Sequence, residues 1–450
     1  MNLQDVYFDK SIRDYALKLT GNEFDADDLV SIAFEICSSK PTRENLKGYF
    51  AVVMRNQWYK KCNKSDIVPS IADTESEDVE STLDRMYHYY SDILTAIYNG
   101  EKLTEIHKGS GIPYGTLKED YAKAKKEFKI LHKQTKIALI VSSDSGVTYH
   151  RLNNPFSKLK QDYGIDVEIH YNEDDSFIHR LEDVTHVVYS RNISRKMQPE
   201  KIIGALQLMG IKVICDVDDY WVLPKKHPTK ALYKRMNFAK CQVRNIQLAD
   251  SVWTTTPQLA NKIKDYNKNV HVVKNAIWKR AAQFNPNELL LNFDTFFYSG
   301  GKTHLMDLKL IGKSFDGEEL MIKTPNIPKN LPYHQRLELS DVHNYANAYH
   351  KSGISIIPLR ETLFNSLKSE LKMIESGHFC KPVMVSNVEP YTNLATGKNC
   401  IKVLDNDWAK AIKRIKGEHN LQVDLGMKLK EDVEAKYNLD KENRLRIQLL

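Results

Sequence analysis

The chain has 450 residues, of which 42% are hydrophobic and 27% charged, so it can fill several globular cores and is not disordered overall. Its formal net charge of +7 permits a polyanionic partner without requiring one. The cysteines lack zinc-site spacing, the first residues lack the apolar core of a signal peptide, and no apolar run approaches the length of a membrane span. We therefore expect a multidomain cytoplasmic protein without a membrane partner.

The first part of the chain predicts helices. Residues 1–64 lack β-branched runs, and their apolar residues recur at helical spacing. Residues 65–80 are acidic and poor in large apolar side chains, which predicts a linker. Residues 81–134 predict a helix-turn-helix, with a turn at residues 109–113 and a second helix from Thr116.

The stretch GIPYGTLKEDYAKAKKEF, which starts at Gly111, resembles the promoter-reading helix-turn-helix of bacterial sigma factors. Upstream, FDADDLVSIAFEIC and NLKGYFAVVMRNQWYKK resemble the bundle with which those factors contact RNA polymerase. The resemblance implies an all-α sigma-like region that contacts DNA and allows a contact with RNA polymerase; a bundle that contacts only protein is the alternative. The expected DNA-binding residues are Arg55, Tyr114, Thr116, Lys118, Lys123, Lys125 and Lys126.

From Lys136 onward, short apolar strands alternate with helical segments, which predicts βαβ units and parallel sheets. The first series comprises KIALIVSS, DVEIHY, THVVYS, KVICDVDD, SVWTTT and VHVVKNA. The second comprises DTFFYSGG, ELMIKT, GISIIPL and KPVMVSN, and a lysine-rich helix is expected from Lys428 to Leu450. The pattern predicts an α/β protein with two doubly wound Rossmann-like domains, residues 135–285 and 286–450, facing a cleft.

The most specific pattern lies between Ile356 and Tyr391. A strand leads into a loop, a helix predicted from Asn365 to Ser376 and ended by Gly377, and then another strand. This stretch resembles the nucleotide-sugar-binding element of retaining GT-B glycosyltransferases. The more familiar branch of that group has a glutamate at the position of Leu367 in this chain.

The resemblance implies a GT-B fold and a nucleotide-sugar donor, expected to be a UDP-sugar. FYSGGKTHLMDL resembles the glycine-rich loop that meets the donor diphosphate. Lysines and free amides at a helix start suit a diphosphate, and Glu375 would accept hydrogen bonds from ribose hydroxyls. The expected donor-binding residues are Gly300, Gly301, Lys302, His304, Asn365, Lys368, Ser369, Lys372 and Glu375.

Two loops supply the expected acceptor side. SSDSGVTYHRLNNPFSKL resembles the first loop of the acceptor domain, where Gly146 permits close approach and His150 or Arg151 faces the reacting centre. CDVDDYW follows a strand, and its carboxylates would orient an acceptor hydroxyl, act as a base, hold a divalent metal or serve the structure. The expected catalytic residues are His150, Asp216, Asp218 and Asp219. Because the resemblance implies metal-independent transfer, no metal is expected.

Together the two halves predict a hexosyltransferase whose helical region holds DNA. The acceptor would be a hydroxymethylated pyrimidine, as in phage-type DNA modification, because unmodified bases offer no such alcohol. One alternative keeps the transferase and makes a protein or glycan the acceptor, with the helices as an interaction module. The other is a sigma-like transcription regulator whose α/β part senses a nucleotide sugar without turnover.

Overall fold

A computed structural model describes residues 9–20, 23–38, 54, 82–99, 101–132, 135–172, 175–181, 183–195, 198–279, 281–284 and 292–450. Within residues 1–64 it places α1 at Lys10–Thr20 and α2 at Glu23–Ser38. The predicted linker at residues 65–80 and the predicted DNA contact Arg55 lie outside the described residues.

Three helices form the region predicted as a helix-turn-helix: α3 at His88–Tyr98, α4 at Leu103–Ser110 and α5 at Tyr114–His132. Gly111 ends α4 in the left-handed conformation (φ 72°), which a glycine adopts without strain. One side of α5 is buried, including Leu117, Ala124 and Leu131. This side shares one hydrophobic core with the first α/β domain, so these helices do not form a separate globule.

Six parallel strands form the first sheet, in the order β2-β1-β3-β4-β5-β6. The four central strands of this sheet, β1, β3, β4 and β5, are largely buried, as expected for parallel strands, whereas the edge strand β2 is partly exposed. The strands are β1 Lys136–Val141, β2 Asp166–Tyr171, β3 His186–Ser190, β4 Lys212–Val217, β5 Ser251–Thr254 and β6 Val270–Val272.

The second sheet is also six-stranded and parallel, in the order β12-β11-β10-β7-β8-β9. Its strands are β7 Phe296–Ser299, β8 Leu320–Lys323, β9 Gln335–Arg336, β10 Ile354–Ile357, β11 Val383–Ser386 and β12 Ile401–Val403. The predicted pair of doubly wound domains is confirmed, and the architecture agrees with the expected GT-B fold. Only β9 and β12 had no counterpart in the sequence pattern, because two or three residues are too few to show a period.

Helices connect the strands and cover both sheets. In the first domain they are α6 Gly146–Thr148, α7 Asn154–Tyr163, α8 Pro199–Leu208, α9 Lys230–Arg235, α10 Phe238–Leu248 and α11 Pro257–Ile263. After β7 follow α12 Leu305–Leu308, α13 Leu363–Ser366, α14 Leu371–His378, α15 Trp408–Ile415, α16 His419–Lys436 and α17 Leu439–Leu449. A π-helical turn at Tyr149–Asn153 joins α6 to α7. Within the described ranges, no helix has both the length and the apolarity needed to cross a bilayer.

The helix predicted from Asn365 to Ser376 is two helices, α13 and α14, and Gly377 lies inside α14 rather than ending it. A glycine is needed there for packing. A Cβ on Gly377 would lie 2.7 Å from a methyl carbon of Val433 on α16. The absence of a side chain therefore lets α14 and α16 approach closely.

The predicted terminal helix is also two helices, and the last of them does not stay with the second domain. On α17, Asn443 Nδ2 donates to the Pro155 carbonyl at 2.9 Å, and Gln448 Nε2 donates to the Tyr90 hydroxyl at 3.2 Å. Ile447 is fully buried in the core shared by the first sheet and α5. Residues 439–449 thus pack on the first domain and on the helical region, contrary to the predicted division at residue 286.

Candidate active site

A cleft lies at the carboxyl ends of both sheets, where parallel α/β sheets usually bind ligands. Residues that follow β3 and β4 line it from the first domain, and residues that follow β7 and β10 line it from the second. It encloses a cavity of about 290 Å³. Its charged and aromatic lining includes Arg191, Asp219, His227, Tyr233, Lys302, Phe364 and Lys368.

An ion-pair network spans this cleft. Arg191 binds Asp218 through two nitrogens, at 2.6 and 2.7 Å, and Asp219 through one, at 3.0 Å. Lys368 of the second domain lies 3.1 Å from the other Asp219 oxygen. Burial alone would raise the pKa of the Asp219 carboxyl, but the charges of Lys368 and Arg191 outweigh burial and lower the pKa to about 2. Asp219 is therefore an anion at neutral pH.

Arg191 holds a left-handed backbone conformation, with φ at 61°. Such a conformation costs a non-glycine residue about 1 kcal/mol or more and is common at binding sites. Here it follows directly on β3 and places the guanidinium against both aspartates.

Lys372 is the desolvated cation of the site. Burial lowers the pKa of its ammonium to about 8. The ammonium lies 5.0 Å from the centre of the Tyr298 ring, and within the described part of the chain no carboxylate lies at ion-pair distance from it. A bound polyanion would supply the missing counter-charge.

A second network fixes the loop at the amino end of α13. His304 Nδ1 lies 2.9 Å from Asp307, and Asp307 also accepts from the Arg360 amide at 3.1 Å and from Asn365 at 3.2 Å. Burial lowers the pKa of the His304 imidazole to about 4, so the ring is neutral at pH 7. Asn365 is itself buried and also donates to the Arg360 carbonyl. His304 and Asn365 thus both hydrogen-bond Asp307, and Asn365 holds the loop before α13 in position.

The glycine-rich loop lies at the cleft, and its two glycines differ in the space that a side chain would have. A Cβ on Gly300 would overlap the hydroxyl of Tyr298, whereas a Cβ on Gly301 would meet open space. The ring of Tyr298, rather than a bound donor, therefore explains the glycine at position 300. Lys302 follows with an exposed side chain that lines the cavity.

Arg151 and Asp216 form a buried ion pair instead of facing the cleft. Each is 1% exposed, and their two hydrogen bonds measure 2.9 and 2.6 Å. Arg151 also donates to Asn275 at 3.2 Å, and Asn275 donates to Ser369 Oγ at 2.8 Å. The predicted acceptor-loop arginine, catalytic aspartate and donor-binding serine are thus linked in one chain of contacts between the domains.

His150 and Glu375 lie close together, with His150 Nε2 3.3 Å from a Glu375 oxygen. The Tyr345 hydroxyl donates to Glu375 and lies within hydrogen-bond distance of His150 Nε2, and the Tyr349 hydroxyl donates to the other Glu375 oxygen at 3.0 Å. Glu375 is 6% exposed and His150 is 2% exposed. Each Glu375 oxygen thus accepts a hydrogen bond from one tyrosine hydroxyl, and the contact of Glu375 with ribose hydroxyls stays a prediction. Gly146, by contrast, is exposed and has open space around it.

A metal between Asp216 and Asp218 does not fit their contacts. Each carboxylate binds an arginine through both oxygens, so a bridging cation would have to displace two guanidiniums. Among the described residues, no group of three or more His, Cys, Asp or Glu side chains is placed to hold a metal.

The predicted DNA contacts on α5 fall into two groups. Tyr114, Thr116 and Lys118 are exposed at its amino end, and Lys125 is exposed beside the Tyr121 ring. Lys123 is paired with Asp120 at 2.9 Å. Lys126 is exposed as well, and its ammonium donates to the Gln448 carbonyl on α17, which links the two helices.

No protein-family model and no curated protein matches the chain. Among solved structures, a sucrose-phosphate synthase from Thermosynechococcus elongatus is 13% identical, with a TM-score of 0.49, over 70% of this chain and 98% of that chain. Anabaena HepE in complex with UDP is 9% identical, with a TM-score of 0.46, over 69% of this chain and 98% of that chain. A glycosyltransferase from Rickettsia africae is 12% identical, with a TM-score of 0.44, over 69% of this chain and 97% of that chain. At these identities and TM-scores, neither a family nor an activity follows for this chain.

Sequence reasoning missed several residues of the cleft. Arg191, His227 and Tyr233 line the cavity, and Tyr345 covers Glu375. For Arg191 a signal existed, because it directly follows a buried strand and therefore lies at the ligand-binding end of the sheet. The other three lie in segments without regular periodicity, and no sequence pattern indicated their contacts.

Proposed function

We propose that the protein is a glycosyltransferase that moves a sugar from a nucleoside diphosphate sugar, expected to be a UDP-sugar, to a hydroxyl acceptor. The proposal rests on Lys302 and Lys368, which line one cavity of the cleft, and on Lys372, whose ammonium lies over the ring of Tyr298 just before the glycine-rich loop. Three cations from the glycine-rich loop and the α13–α14 segment suit a diphosphate, and the unpaired, desolvated Lys372 suits it best.

In the reaction, the bond between the anomeric carbon and the diphosphate oxygen breaks, and the leaving diphosphate keeps the electron pair. A new bond forms from the same carbon to the acceptor oxygen, which loses its proton. The lysines stabilise the charge that develops on the leaving group. Asp219, with a pKa of about 2, is a weak proton acceptor at neutral pH, so its role is electrostatic.

The test is turnover of labelled UDP-sugars by the full-length protein, together with UDP affinity by calorimetry. We expect Lys368→Met and Lys372→Met each to weaken UDP binding at least tenfold, because each removes a charge-assisted contact. Lys410→Met is the matched control, since Lys410 is an exposed lysine on α15 without an ion-pair partner in the described structure. Equal UDP affinity in all three variants would refute the donor site.

We further propose that the acceptor is a hydroxymethylated pyrimidine in DNA. The amino half of α5 supports this, because Tyr114, Thr116 and Lys118 are exposed after a tight turn, as in helices that enter the major groove. The test offers a labelled UDP-sugar with two duplexes, one plain and one hydroxymethylated. Label only on the modified duplex supports DNA as the acceptor. Donor hydrolysis without labelled DNA would indicate that the acceptor is a protein or glycan. Donor binding without hydrolysis would indicate a sensor of nucleotide sugars.

A further inference from the structure

The helix-turn-helix and the cleft lie at opposite ends of the first sheet. Lys212, at the start of β4, donates to the Leu449 carbonyl of α17, and Lys126 of α5 donates to the neighbouring Gln448 carbonyl. Arg191 and Asp219, just beyond the ends of β3 and β4, line the cleft. Strands of five or six residues separate these two levels by about 20 Å. The Lys126 turn of α5 therefore lies about one strand length from the cleft, so contacts to a nucleotide at the cleft itself must come from other residues.

A second cationic surface lies at the cleft itself. The segment from Trp221 to Val243, here called the basic segment, contains no aspartate or glutamate. Its cations are Lys225, Lys226, Lys230, Lys234, Arg235 and Lys240. The six positive charges of this segment nearly equal the formal net charge of +7 of the whole chain, so the positive and negative charges of all other residues almost balance.

These cations are available to a partner. All are exposed except Lys230, which is half-buried. Within the described structure, no carboxylate lies at ion-pair distance from any of them, whereas Arg244, just beyond the segment, is paired with Glu200 at 2.5 Å. An unpaired cationic surface of this kind is typical of proteins that bind phosphate backbones.

The basic segment also forms one wall of the cleft. Leu223, His227 and Tyr233 line the cavity, and the ring of His227 lies 5.4 Å from the ring of Phe364 in the second domain. Phosphates bound to Lys234 or Arg235 would therefore lie beside the donor site. Rings at the cavity wall offer stacking surfaces to a base that has left its duplex.

Building on the proposed function with DNA as the acceptor, we propose that the basic segment binds the phosphate backbone next to the acceptor base. The partner is a nucleic-acid strand whose target base has been turned out of the stack toward the cleft. The helix-turn-helix then engages the same DNA at a distance, and the basic segment delivers the reacting nucleotide.

An anionic membrane is the competing partner, because Val222, Leu232 and Met236 are exposed among the lysines, at 52%, 43% and 52%. The geometry favours DNA. The only helix between Trp221 and Asn237 is α9, with six residues, whereas helices that lie on membranes present a long continuous apolar face. The three apolar side chains are also far fewer than the cations around them.

The test compares two charge reversals of equal size in the full-length protein. Lys234→Glu/Arg235→Glu changes the basic segment, and Lys410→Glu/Lys413→Glu changes exposed lysines on α15. Binding to a single-stranded oligonucleotide with hydroxymethylpyrimidines is measured by fluorescence anisotropy across a salt series. We expect at least a tenfold loss for the first variant only. The slope of log affinity against log salt should fall by about 1.4, since each lost phosphate contact contributes about 0.7 for single strands.

Three outcomes would overturn the inference: unchanged DNA affinity in the first variant, an equal loss in both variants, or a loss of binding to anionic phospholipid vesicles with DNA affinity retained. Crosslinking of iodouracil-containing DNA to the unmutated protein gives an independent reading, with adducts expected within residues 221–243. UDP affinity is measured in parallel. Loss of the donor site would thus be distinguished from loss of the DNA surface, and absence of turnover in the unmutated protein would count against the proposed function alone.

Discussion

Replacing Lys372 by methionine should stabilise the fold while it weakens donor binding. The ammonium has a pKa of about 8 instead of its ordinary 10.5, and burial is the main cause. A difference of this size corresponds to roughly 3 kcal/mol against the protonated, folded state at neutral pH. Because water still reaches part of the side chain, we expect the free energy of unfolding to rise by about 1–2 kcal/mol.

The effect has a defined pH dependence. The folded pKa lies below the unfolded one, so the cost of Lys372 is fully present below pH 8 and disappears as the pH rises toward 10.5. The stability difference between Lys372→Met and the unmutated protein should fall by more than half between pH 7 and about pH 9.5. Over the same range the unmutated protein should lose UDP affinity, because the diphosphate binds the protonated form.

Urea unfolding at pH 7 and 9.5 measures the stability, and calorimetry at both values measures UDP affinity. Lys410→Met serves again as the control and should change neither quantity. A Lys372→Met variant that is no more stable at pH 7 would show that the ammonium is not desolvated. If the variant binds UDP as tightly as the unmutated protein, Lys372 is not part of the donor site.

Three further predictions concern the networks around the cleft. Asp219→Asn should tighten UDP binding by roughly three- to tenfold, because the carboxylate competes with a diphosphate for Lys368; weaker binding in calorimetry would contradict this. Arg151→Met should destabilise the protein by about 3–5 kcal/mol in urea unfolding, because it leaves the buried carboxylate of Asp216 without its partner. Adding Asp216→Leu should recover much of that loss. Equal destabilisation in the double variant would argue against a buried charge as the cause. Gly300→Ala should weaken UDP binding more than Gly301→Ala, because only the first new Cβ overlaps Tyr298; the same affinity in both variants would show that the loop adapts freely.

The sequence reveals the sheets far better than it reveals the site. A buried parallel strand such as β1 contains a continuous apolar run, Ile137 to Val141, so its place could be predicted locally. The site depends on pairs that are distant along the chain. Arg151 and Asp216 are 65 residues apart, and Tyr345 and Glu375 are 30 apart. No periodicity records such contacts, so the sequence did not show that Arg151 pairs with Asp216 or that two tyrosine hydroxyls donate to Glu375.

Residues that match the same motif also make different kinds of contact in the structure. Lys368 lines the cavity and Lys372 lies over the Tyr298 ring, whereas Asn365 donates to Asp307 and Ser369 accepts from Asn275. All four residues fit the pattern equally well. What separates them is the direction of each side chain once α13 ends and α14 begins, and that break depends on packing against other elements.

The packing of α17 bears on how this protein can be divided. Residues of α17 complete the core that α5 shares with the first sheet, so the helix-turn-helix and the first α/β domain are built around common side chains. Heating should therefore melt them in one transition, and the helix-turn-helix could not be moved to another protein without α17. The region that resembles a separable DNA-binding module is, in this protein, packed into the core of the first α/β domain.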